Sequence, residues 1–131
     1  MIVFVGEKRS KRAIELRVTW EDGALASKTL HRALSRIGLT DRIIFANLWG
    51  DHGYIDLETI ELLRLSVRRR RTIVGLGRVV QARLRSLGIP HKKMIHPAAR
   101  GAIRAQETYI NYVKVILTSP AGEYRWTPKR K

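Results

Sequence analysis

The feature that most constrains this chain is a repeated alternation. Short, continuous apolar runs are followed by segments with the spacing of one helical face, about four times over. IVFV at 2–5, IIFA at 43–46, TIVGLG at 72–77 and KKMI at 92–95 have the length and β-branching of strands. Between and after them the apolar positions recur every three or four residues. Ala26, Leu30, Ala33, Leu34 and Ile37 form one such face, with Gly38 as its stop. Ile60, Leu63 and Val67 mark a second, closed by the basic run Arg68–Arg71. Val80, Leu84 and Leu87 mark a third, stopped by Gly88. Ala102, Gln106, Tyr109, Val113 and Ile116 mark the last, and Ile110 and Leu117 widen it. KRAIELRV has room for one or two helical turns, and WEDG at 20–23 reads as a turn. Strands alternating with helices in this way predict an α/β three-layer sandwich, with a short, mostly parallel four-stranded sheet between helices. The run at 43–46 reads as a strand covered on both faces.

With 131 residues the chain is sized for one domain, expected over 1–124, followed by a basic tail at 125–131. The apolar N-terminal stretch is too short for a signal peptide or a membrane span, so a cytoplasmic protein without a membrane partner is expected. Cysteine is absent, which excludes a disulfide, a cysteine nucleophile and a thiolate zinc or ordinary iron–sulfur site. The histidines lack metal-motif spacing, so no metal is expected. The charge is lopsided: 26 Lys and Arg against 11 Asp and Glu, a net +15 with neutral histidines. That balance suits a phosphate polymer, a nucleic acid, as partner.

Parallel sheets of this kind bind ligands beyond the carboxyl ends of their strands. Glu7, Asn47, Gly77 and His96 all fall there. Asn47 carries an amide that can match a pyrimidine edge, or it caps a turn. His96 can donate to a leaving group as negative charge grows, or it fills space before a helix started by Pro97. Glu7 and Glu15 are the early carboxylates that can orient water or stabilise a sugar cation. Trp49 and Tyr54 can wall a base pocket. Ser10, with the amides around it, can cradle a phosphate. Lys92, Lys93, Arg100 and Arg104 surround the His-Pro segment and are DNA-backbone candidates, as is the Arg68–Arg71 run.

Four motifs, VFVGEKRS, FANLW, IVGLGRVVQARL and MIHPAARG, in that order, resemble the uracil-DNA glycosylase superfamily. They span Val3 to Gly101. The resemblance implies a small parallel sheet between helices and excision of uracil or a related damaged base from DNA without a consumed cofactor. It implies that Asn47 reads the flipped base and that His96 stabilises the departing one. It makes Gly6 and Glu7 the opening pair of the first motif. The stretch after His96 would press the minor groove, with Arg100 as a probe or wedge. Two positions depart from the family pattern. Lys8 stands where many members place a water-positioning Asp or Asn, and Arg9 replaces a loop-shaping proline. Lys8 and Arg9 therefore join the DNA-contacting candidates. Two other functions fit the same scaffold: a non-catalytic nucleic-acid binder, and a nucleotide-binding enzyme.

Overall fold

The computed structural model describes residues 1–23, 26–39, 41–97 and 106–118. Four strands, β1 (Ile2–Gly6), β2 (Ile43–Asn47), β3 (Thr72–Leu76) and β4 (Lys92–Met94), form one sheet in the order β2-β1-β3-β4. Every pairing is parallel. Among the described residues five α-helices accompany them: α1 (Lys11–Leu16), α2 (Ala26–Ile37), α3 (Leu57–Arg68), α4 (Arg78–Ser86) and α5 (Gln106–Thr118). The fold is a three-layer α/β sandwich.

Strand alternation sorts the core into two. Ile2 and Phe4 face one side with Val74, Leu76 and Met94, covered by Leu30, Ala33 and Leu34 of α2 and Tyr109, Val113 and Ile116 of α5. Val3 and Val5 face the other with Ile73, covered by Leu63 of α3 and Val80 and Leu84 of α4. β1 is buried along its whole length. Burial of Val3, Phe4 and Val5, each at 0% exposure, contributes about 1.5–3 kcal/mol per side chain.

Two expectations are corrected. β2 is not covered on both faces: every residue of it is only half-buried, because it lies at the sheet edge. Its apolar run therefore mimics an interior strand in sequence only. On α3 Thr59, Leu63 and Ser66 are buried and Ile60 packs half-buried against the same core, while Val67 is exposed. Ser66 is tolerated inside because its hydroxyl donates to Leu62 O at 2.7 Å.

The chain goes from β1 to β2 on one side, then returns to place β3 on the other side of β1. The strand order therefore reverses between β1 and β3, beside Gly6, Glu7 and Gly77. A crevice at the carboxyl edge is the geometric consequence.

Candidate functional site

Trp20 occupies the centre of that edge. It opens a short 3-10 turn, Trp20–Asp22, that Gly23 ends with φ +64°. The Thr19 N–H donates to the Asp22 carboxylate at 2.6 Å, which closes the turn. Trp20 is then fixed from three directions. Its ring stacks on Phe45 with centroids 6.0 Å apart. Its carbonyl accepts from His31 Nε2 at 2.6 Å, which assigns the proton to that nitrogen because a carbonyl only accepts. Its indole Nε1–H donates to Asn47 Oδ1 at 2.8 Å.

This last bond orients Asn47. An indole nitrogen is only a donor, so the amide oxygen must face it and the amide nitrogen must point the other way. Among the described residues that nitrogen donates to no partner. Gly6, in register with Asn47 on β1, makes the arrangement possible. A Cβ there would lie 2.7 Å from both Asn47 Oδ1 and Trp20 Nε1.

His96 reaches the same ring from β4, edge-on to Trp20 at 6.0 Å between centroids. Asn47 and His96 thus share one aromatic platform on one side of the sheet. Three contacts set the backbone before His96. Met94 O accepts from Gly77 N at 2.9 Å and from Gln81 Nε2 at 2.9 Å, and Ile95 N donates to the Tyr112 hydroxyl at 2.8 Å. Gln81 Nε2 also donates to Gly75 O at 3.1 Å, so one amide ties together the ends of β3 and β4. Gly77 itself has φ +89°, a conformation that suits glycine, and lies beside the His96 Cβ.

Burial pushes the His96 imidazole below its ordinary value near 6.5, and the Glu7 carboxylate pulls it partly back. The neutral imidazole is therefore the form present at pH 7. The same interaction brings Glu7 into the group: it is exposed, directly after β1.

The other sequence candidates fall elsewhere or take other partners. Arg9 grips Asp51 with Nε to Oδ1 at 3.2 Å and Nη2 to Oδ2 at 2.5 Å. It holds the first loop against the loop after β2, and the guanidinium keeps the Asp51 carboxyl below the usual carboxylate range. Ser10 Oγ caps α1 by accepting from Ala13 N. Lys92 lies at the opposite end of β4 from His96, and its ammonium donates to Ile116 O and Leu117 O at the end of α5. Burial lowers its pKa. Lys8 and Lys93 are exposed. Glu15 is exposed on α1 and joins none of these contacts. Trp49 packs against the Val3–Leu63 core, and Tyr54 stands 76% exposed beyond it. Arg100, Arg104 and the tail lie outside the described residues.

A cleft of about 420 Å³ opens beside β2, lined by His31, Leu34, Ile43 and Phe45 among others. None of Glu7, Asn47 or His96 lines it. Among the described residues no cluster of three or more His, Asp or Glu could hold a metal ion. No described helix is long and apolar enough to cross a membrane. Comparisons with protein-family models, with curated proteins and with solved structures each find no match.

Proposed function

We propose that this chain is a DNA glycosylase-like protein of the uracil-DNA glycosylase type, which excises a deaminated base. One observation carries the reading: the Trp20–Asn47 hydrogen bond, with His96 edge-on to the same indole. It turns the Asn47 amide nitrogen, a donor, away from the indole. A donor at that position favours a base with a carbonyl over one with an amino group, which is the change that deamination makes to cytosine or adenine. Unstacking the nucleotide would bring its base over the edge where β1, β2 and β4 end.

The chemistry follows from the groups present. Breaking the N-glycosidic bond sends its electron pair to the base and leaves positive charge on the sugar. A neutral His96 donates a hydrogen bond to a base carbonyl oxygen as that oxygen becomes anionic. Glu7 faces the sugar cation with its negative charge or orients the incoming water. Lys8, exposed beside Glu7, contacts a phosphate. The test is incubation with uracil-, hypoxanthine- and xanthine-containing strands, single and double, followed by alkali. Strand scission at the modified base supports the reading, and intact strands in every case refute it.

Lys8 also favours a second reading, a nucleic-acid binder without turnover, because an ammonium replaces the group that would organise water. That reading expects salt-sensitive binding, no scission, and unchanged affinity after His96→Ala.

A further inference from the structure

The stretch 57–91 contains eight arginines, no lysine and two acids, Glu58 and Glu61. It supplies α3 and α4, which lie on the same face of the sheet over one shared core. Both helices run against the strands, so both end at the amino edge, opposite Asn47 and His96. Arg68, Arg69 and Arg70 at the end of α3 and Arg83 and Arg85 at the end of α4 are all exposed there. The ion pairs of the described residues are Arg9–Asp51 and Arg36–Glu107, so none of these five is neutralised.

The helix dipole accounts for Arg68 in the last turn of α3 and for Arg83 and Arg85 in the last turn of α4, and for little after them. Arg70 is the informative residue. It holds φ +54°, left-handed backbone that favours glycine. After α2 and α4 the same position is filled by Gly38 and Gly88, and after α1 by Arg17 with φ +55°. A bulky cation kept where glycine is easier argues for a use outside the fold. Guanidinium forks match phosphate oxygens two at a time. An anionic membrane suits the edge less well. The most exposed apolar residues of these two helices, Leu57 and Val79, are at the other end, by the base site.

We infer that the amino edge, at the ends of α3 and α4, is a second phosphate-backbone surface that grips nucleic acid away from the flipped base. This rests on the nucleic-acid part of the proposed function and not on excision. The test uses the full chain carrying Arg69→Gln, Arg70→Gly, Arg83→Gln and Arg85→Gln together. Affinity is measured for a long undamaged duplex and for a short single strand that fills the base site alone, across a salt series. The expected result is a loss of about tenfold or more for the duplex, with the salt slope shallower by about 3 units. The short strand binds as before, the melting temperature does not fall, and single-turnover excision at saturation is unchanged. Equal duplex affinity and slope in both proteins would overturn the inference, as would a lower melting temperature that accounts for the lost binding. So would binding to phosphatidylserine vesicles that the variant loses while duplex binding persists. If excision is absent altogether but the length-dependent loss remains, the base-site reading has failed and this one stands.

Discussion

Trp20 gives Asn47 its direction, and most of what the site can do follows from that one hydrogen bond. Asn47→Asp keeps an oxygen for the indole and exchanges the outward donor for an acceptor. It should leave the fold intact and lower excision by about 10²–10³-fold, the loss typical of one transition-state hydrogen-bond donor. Single-turnover kinetics would show it. Gly6→Ala drives a methyl into the indole and the amide together. We expect about 1–3 kcal/mol of destabilisation by denaturant titration, with excision falling further than stability explains. His96 provides a third check. Its NMR titration should have a midpoint below 6.5, and Glu7→Gln should move it lower still, because the carboxylate that opposes desolvation is gone. The sign extends to stability. The unfolded imidazole takes a proton that the folded one resists, so this contribution is whole above pH 6.5 and declines as pH falls below it. A midpoint unmoved by Glu7→Gln would separate the two residues and remove Glu7 from the site.

At the level of elements, periodicity and β-branching were sufficient for the four strands and for α2, α4 and α5, which bury a regular face, whereas α1 buries no residue. α3 shows where pattern is ambiguous. Leu63 serves two overlapping stripes, and packing buries Thr59 and Ser66 with it, keeps Ile60 half-buried against the same core and leaves Val67 exposed. Leu63→Ala should cost about 2–5 kcal/mol in thermal or denaturant unfolding and Val67→Ala less than about 0.5. Comparable losses at the two sites would restore the other face. The candidate residues Glu7, Asn47 and His96 were legible in position, because each lies at or just after the end of a strand. Trp20 was missed because a three-residue 3-10 turn has no period, and its partner is 27 residues away. The signal available was a tryptophan in a turn otherwise made of polar residues and closed by a glycine. Arg9 and Lys92 looked like free cations because their partners, Asp51 and the end of α5, are 42 and 24 or more residues distant. Gln81 is unremarkable as a sequence letter, yet it ties together two strand ends that no local pattern could pair.

Across the whole molecule, charge and topology divide the labour. The sheet delivers a donor, an imidazole and a carboxylate to its carboxyl edge, and an excess of arginine covers the ends of α3 and α4. Only two ion pairs form among the described residues, so little of the positive charge serves the fold, which is what the proposed nucleic-acid partner requires. The most direct test of the central claim is base discrimination at Asn47 without turnover. The side-chain amide signal of Asn47 and the indole signal of Trp20 would be followed by NMR as matched single strands are added, one with a non-cleavable 2′-fluorinated deoxyuridine and one with the cytosine equivalent. Both signals should shift with the uracil strand and stay near their starting positions with the cytosine strand. Equal shifts for the two strands, or none for either, would contradict a carbonyl-reading base site at the ends of β1, β2 and β4.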